Sequence, residues 1–163
     1  VGDTIQFVST NPFRIKVSGR IKSFINAFGE ELIVDNADYA IAKASRKTNA
    51  VVNDYTAAPV YFSNESNGCH EWAIEFDHAP NDIALFTETL DRALQEVNSD
   101  YEAKRYKDIA LTKPKINILE KGIFNLWLKN KGKLGGQHKI PRLCNDRKLL
   151  DEILALSSNY LMA

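Results

Sequence analysis

Cysteine is the scarcest feature of this sequence: Cys69 and Cys144 stand far apart and alone among 163 residues. So thin a supply excludes a disulfide scaffold and fits free thiols in a reducing compartment, with a single bridge the most that could form. A structural zinc site needs a Cys/His cluster, and Cys69-His70 is the one close pair, so no metal centre is expected. Net charge is missing too, with 21 Lys and Arg against 21 Asp and Glu. A balanced chain offers no broad field to nucleic acid or to an anionic membrane surface, so any anion site has to be local. No apolar run approaches the roughly 20 residues that cross a bilayer, and no secretory leader opens the chain. The expectation is a cytoplasmic protein with neither nucleic acid nor membrane as a partner. There is no internal repeat and no low-complexity tract. The chain opens on Val1, not Met, and is expected to be a piece of something longer.

What is present describes an ordinary globular protein: 44% hydrophobic and 26% charged residues. This length supports one good core, burying roughly 68–70% of the unfolded chain's surface. Thr4 to Val8 and Phe13 to Val17 read as strands about an Asn11-Pro12 turn. Arg20 to Ser23 has the look of a linker. Phe24 to Phe28 and Glu31 to Val34 form a second hairpin through Gly29. Asp35 is expected to cap a helix whose small face is Ala37, Ala40, Ile41 and Ala44, ending near Asn49. Residues 51–62 and 70–76 read as neighbouring antiparallel strands. In the second of them Trp72, Ile74 and Phe76 share one face, and Glu71, Ala73 and Glu75 the other. Asn81 is placed to cap a helix carrying Ile83, Phe86, Leu90, Leu94 and Val97. Ser99 to Glu102 reads as a capping box that restarts it. Lys115 to Leu119 is a strand, and Ile123 to Lys131 a short helix with Phe124, Trp127 and Leu128 inward. Asn145 is expected to cap a last helix bearing Leu149, Leu150, Ile153 and Leu154. Strands and helices in this order predict an α+β fold, a small antiparallel-rich mixed sheet with helices packed on one side.

The most chemically loaded stretch is Lys133-Leu134-Gly135-Gly136-Gln137-His138-Lys139-Ile140-Pro141-Arg142. Gly135 and Gly136 free the backbone to lie close to a ligand. Lys133, Lys139, Arg142 and the weakly basic His138 surround them, with no carboxylate among the ten residues. Such a loop suits a phosphate or an adenylate, and Lys139 is the best candidate for a charge delivered to an anionic transition state. The same ten residues could also serve as a solvated connector. The loop from Lys131 to Leu143 is expected to be among the most mobile parts of the chain.

Several segments together resemble a known family. Gly2-Asp3, a hairpin, then Gly19-Arg20-Ile21-Lys22-Ser23-Phe24-Ile25 with Gly29 beyond, resemble the end of the large domain, the hinge and the first hairpin of adenylate-forming enzymes. Residues 24–31, 54–59, 98–105 and the 133–142 loop are similar to the bacterial branch of the auxin-responsive GH-three family. Its members are acyl-acid amido synthetases, which adenylate a carboxylic acid with ATP and pass the acyl group to an amino acid. The resemblance covers essentially the whole chain, but only the C-terminal part of such an enzyme. It implies that residues 1–22 are the end of the large domain and the hinge, and 23–163 the mobile C-terminal domain.

By position, the resemblance makes Asp3 the acid that accepts from the ribose hydroxyls and Arg20 a contact near ribose and phosphate. Lys22 becomes the hinge and Lys139 the catalytic lysine that bridges carboxylate and α-phosphate. ATP, AMP and Mg would be held mostly by the large domain, which is also this domain's partner. The other partners implied are a small acyl acid and an amino acid, and the fragment alone should be inactive. Two departures are visible. Gly-Gly-Gln-His-Lys replaces the superfamily's Ser/Thr-Gly-Lys, which leaves Lys133 as an alternative to Lys139. Asn26-Ala27-Phe28 stands where a hairpin lysine is common. The contrasting reading is a stand-alone α+β module that binds a phosphate or nucleotide without catalysis.

Overall fold

The structure is a computed structural model that describes residues 3–20, 23–62, 67–108, 110–133, 135 and 138–161. Its elements run β1 (Asp3–Thr10), β2 (Phe13–Arg20), β3 (Phe24–Ile25), β4 (Leu32–Ile33), α1 (Val34–Thr48), β5 (Val51–Val60) and β6 (Cys69–His78). Then come α2 (Ile83–Val97), α3 (Ser99–Arg105), a 3-10 turn at Tyr106–Asp108, β7 (Lys115–Leu119), α4 (Ile123–Asn130) and α5 (Lys148–Leu161). Each segment expected from periodicity has its counterpart here.

β6 is the centre of the main sheet, whose order is β5-β6-β7. It pairs antiparallel with β5, Ala57 opposite Trp72 and Tyr55 opposite Ile74. With β7 it pairs parallel, Ile74 opposite Ile118. A parallel pair cannot be closed by a tight turn, and α2 and α3 supply the crossover.

Alternation along β6 then builds two cores. Trp72, Ile74 and Phe76 meet Phe86, Leu90 and Leu94 of α2 and the alanine face of α1. Ala37, Ala40 and Ala44 are fully buried, so the alanine face seats α1 closely in this core. Each large side chain buried here is worth about 1.5–3 kcal/mol against exposure. The α+β class with small mixed sheets stands, and α1 and α2 cover this face of the main sheet. A second set covers the other: Ala58, Ala73 and Leu119 pack with Ile123 and Phe124 of α4 and with Leu150 and Ile153 of α5.

That second face buries Glu71 and Glu75. Glu71 is paired with Lys115 and Arg147, each at 2.7 Å, and accepts from Asn117 at 3.0 Å. Burial works against its charge, but those three donors prevail and hold its carboxyl below the usual range. Glu75 accepts from Asn53 at 2.8 Å.

The helix starts differ from the sequence expectation by one to three residues. α1 begins at Val34, and Asn36, not Asp35, serves its first turn by accepting from the Ile33 N–H at 3.2 Å. Asp82 rather than Asn81 caps α2, accepting from the Leu85 N–H. Asn98 replaces the expected Ser99 box at α3; its Oδ1 accepts from the Tyr101 N–H while its Nδ2 donates to the Glu30 carbonyl, each at 2.8 Å. Asn145 does not cap α5, because its Oδ1 accepts from the Asn26 N–H at 2.8 Å. Asp146 accepts from the Lys148 N–H instead. Several residues could cap each helix locally, and packing of the helix selects the one that reaches.

β1 and β2 form a separate two-stranded ribbon. Its apolar side chains are largely exposed, Phe7 at 60% and Phe13 at 77%. Those two rings meet edge-on at 6.1 Å and little else covers them. Two strands without a packed face are marginal in water. Amides from Ile5 to Val17 are therefore expected to exchange with solvent far faster than those of Trp72 and Ile74, which should open only with the whole sheet. Hydrogen exchange on the 163-residue chain tests this; equal protection in ribbon and sheet would contradict it.

Cys69 and Cys144 are free thiols, both half-buried, and burial pushes both up from the ordinary thiol value. Among the described residues no helix is long and apolar enough to cross a membrane.

Candidate functional site

The chain leaves α4 through Gly132, whose φ of +66° is a conformation that suits glycine. The Gly132 N–H donates to the Lys129 carbonyl at 3.0 Å and the Lys133 N–H to the Leu128 carbonyl at 2.8 Å. These bonds satisfy the helix end and fix Lys133 beside it, with its side chain exposed. Gly135 also has positive φ, +91°, with nothing within 4 Å of where a Cβ would stand.

The return is anchored just as firmly. His138 and Lys139 are exposed, but Ile140 is buried in the second core and Leu143 in the first. The Thr56 hydroxyl donates to the Pro141 carbonyl at 2.8 Å. The Ala57 N–H donates to the Arg142 carbonyl at 2.9 Å and the Cys144 N–H to the Ala57 carbonyl at 3.0 Å. Residues 142–144 thus lie along the outer edge of β5 as a short parallel bridge. The expectation of one free loop from Lys131 to Leu143 is narrowed: Lys131 to Lys133 and Ile140 to Leu143 are held, and Lys139 is the last residue before the second anchor. Gly136 lies outside the described residues.

Between α4, this loop and α5 lies a groove of about 370 Å³. Lys131, Lys133, His138, Lys139 and Lys148 line it together with the Trp127 ring. Of the two carboxylates there, Glu152 accepts from Lys131 and from the Trp127 Nε1, each at 3.0 Å. Those two hydrogen bonds hold its carboxyl below the usual range. Asp146 is the other. The groove is therefore a cationic spot on a chain without net charge, the arrangement an anionic ligand needs. It brings together Lys139, Lys133 and His138, three residues singled out in the sequence.

Arg142 is not with them. Its guanidinium is turned toward α1, where it pairs with Asp38 at 2.5 Å. Asp38 of α1 and Tyr55, which donates to it at 2.5 Å, are residues the sequence reading missed as neighbours of this loop. The signal was there in part, since Asp54 to Pro59 is one of the segments that carries the family resemblance. Asp54 itself is half-buried. Burial pushes its carboxyl up, and the charges of Arg142 and Lys139 pull it the other way.

Asp3 and Arg20 stand opposite each other in the β1–β2 register, at the open end of the ribbon. Here the structure describes their backbones only. Lys22 lies outside the described residues. Among the described residues no group of three or more His, Cys, Asp or Glu side chains could hold a metal ion.

The pattern of the GH3 family C-terminal domain matches residues 22–148. Among solved structures, a GH3.15 acyl acid amido synthetase superposes with a TM-score of 0.73 and 18% identity, over 98% of this chain and 29% of that one. An AtGH3.15 acyl acid amido synthetase in complex with 2,4-DB gives the same score and identity, over 95% and 29%. At this identity the likeness shows the fold, and the chain spans under a third of the length of either structure. No curated protein sequence matches it. With the family's pattern running through most of its length, the chain belongs to the GH3 family, in the part that forms the family's C-terminal domain.

Proposed function

We propose that this chain is the mobile C-terminal domain of an ATP-dependent acyl-acid amido synthetase. A carboxylate oxygen of the acyl acid attacks the α-phosphorus of ATP, the bond to the β-phosphate breaks, and pyrophosphate leaves. An amino acid's amine nitrogen then attacks the acyl carbon, loses a proton, and AMP departs. The observation that carries this reading is Lys139: an exposed cation on the rim of a basic groove, one residue before a buried anchor. Bringing a carboxylate to ATP sets two anions together, and a cation closing over them lowers that repulsion in the transition state. Delivering it from a moving domain lets the site close for the first step and open for the second.

Asp3 and Arg20, paired by the ribbon's register, are proposed to contact ribose and phosphate, with Lys22 as the hinge. The exposed apolar side chains of that ribbon fit a surface made to lie against the large domain. The ligands of a magnesium ion on ATP are proposed to come mostly from the large domain. Acyl acid and amino acid are the small-molecule partners, and the setting is proposed to be the cytoplasm.

The groove also supports a second reading, a stand-alone module that binds a phosphate or nucleotide without catalysis. Pyrophosphate exchange into ATP separates the two. Exchange that depends on added carboxylic acid is expected from the complete enzyme and none from the 163-residue chain alone. Tight ATP binding by the chain alone, lost in Lys133→Ala and Lys139→Ala, with no exchange from the complete protein, would favour the module.

A further inference from the structure

We infer that Arg142 is a positioning residue for Lys139, clamped by Asp38 and Tyr55, and not itself a ligand of the anion. The inference rests on the role given to Lys139 above. Arg142 Nη1 donates to Asp38 Oδ1 at 2.6 Å and to Oδ2 at 2.5 Å. Its guanidinium carbon lies 5.3 Å from the centroid of the Tyr55 ring, within the range of a cation–π contact. The Tyr55 hydroxyl donates to the same Asp38 Oδ1 at 2.5 Å. The three groups form a closed triangle that joins the loop to α1 and to β5.

Each corner is fixed by something else. Tyr55 is 3% exposed and tilted against Trp72, with ring centroids 5.5 Å apart, so the platform is part of the first core. Burial, and Asp38 after it, push the Tyr55 hydroxyl up, so it stays a donor. Asp38 sits in the first turns of α1, whose alanine face is buried. The carbonyl of Arg142 is occupied by the Ala57 N–H, and the carbonyl before it by the Thr56 hydroxyl. Backbone bonds set where residues 141–144 run along β5; the clamp sets how the strip is turned, and with it where Lys139, three residues earlier, points.

The Asp38 carboxylate, held on Nη1 through both its oxygens, offsets the charge of the guanidinium, which makes it a weaker partner for a phosphate than an unpaired cation. Among the described residues Lys139 has no such partner, only the half-buried Asp54 in its field. The loop thus divides two cations between two tasks, one for the ligand and one for the scaffold. Catalytic groups must be held within fractions of an ångström, and a misplacement of about 1 Å can cost about 10²-fold in rate.

The test is a kinetic cycle in the complete enzyme. Arg142→Gln and Asp38→Asn are each expected to slow acid-dependent adenylation by about tenfold to a hundredfold, with KM for ATP changed by less than about twofold. In a Lys139→Ala background Arg142→Gln should add less than about twofold, since it acts only through that lysine. Exchanging the two charges, Asp38→Arg with Arg142→Asp, should recover part of the rate. Amide exchange at Ala57 and Cys144 should rise in the same single variants, a readout independent of catalysis. An undiminished effect of Arg142→Gln without Lys139, together with a raised KM for ATP, would make Arg142 a ligand and overturn the inference. A neutral Arg142→Gln beside a crippled Lys139→Ala would remove the clamp and leave the lysine's role intact. A neutral Lys139→Ala would remove both.

Discussion

Lys139→Ala in the complete enzyme is expected to slow adenylation by on the order of 10²–10³, or about 2.7–4 kcal/mol, the usual cost of removing one such electrostatic donor. ATP affinity should barely change. A cation that engages only when the domain closes acts mainly in the transition state, so its loss falls on kcat. The anchors that follow the residue sharpen the expectation. Ile140 and Leu143 are buried in different cores, which gives Lys139 a firm base while its own side chain remains in solvent. Lys133→Ala is the internal control. That lysine lines the same groove but is seated on the end of α4, and a loss of less than about tenfold, or 1.4 kcal/mol, is expected from it. Should Lys133→Ala be the crippled variant, the charge belongs to the other lysine.

The second large effect is on stability and lies away from the groove. Asp91 of α2 is 3% exposed and accepts four hydrogen bonds. Arg105 Nε and the Tyr101 hydroxyl donate to its Oδ1 at 2.8 Å; Arg105 Nη2, at 2.8 Å, and the Gln95 amide, at 3.1 Å, donate to its Oδ2. Arg105 Nη1 also donates to the Leu111 carbonyl at 2.7 Å and pairs with Asp108. The network turns the chain from α2 through α3 toward β7. Hydrogen bonding to Asp91 outweighs burial and raises the affinity of Arg105 for its proton.

Asp91→Ala would leave a guanidinium and a phenol buried without their acceptor. A cost of about 3–5 kcal/mol is expected, a large part of a domain stability of roughly 5–15 kcal/mol. Urea unfolding should show a lower midpoint with an unchanged slope. Replacing both partners, Asp91→Leu with Arg105→Met, should cost markedly less than the single change, because no charge is then stranded. Equal losses from the single and double variants would mean that packing, not the ion pair, holds this corner.

The sequence carried most of the fold and part of the site. β6 was legible because Trp72, Ile74 and Phe76 alternate at the strand period, and α2 because Phe86, Leu90 and Leu94 follow the helical one. Burial of Glu71 and Glu75 was not, since their partners, Lys115, Asn117, Arg147 and Asn53, come from elements distant in the chain. The helix caps failed for a related reason: Asn145 is a good local cap, but the Asn26 N–H competes for its side chain and wins. In the loop, composition alone counted Arg142 with Lys133 and Lys139. Only the return along β5 brings Asp38 within reach and separates the arginine from the lysines. The opposed placing of Asp3 and Arg20 was not legible: Arg20 read as the start of a linker, whereas β2 runs on to include it, through register shifts between Thr4/Ile5 and Phe7/Ser9.

Acyl transfer from pre-made acyl-adenylate is the measurement that tests the central claim most directly. If Lys139 serves the first step and is then carried away as the domain reopens, the Lys139→Ala enzyme given acyl-adenylate and amino acid should form the amide at nearly the unaltered rate, while its adenylation from ATP stays slow. Equal loss in both half-reactions, or none in either, would contradict it.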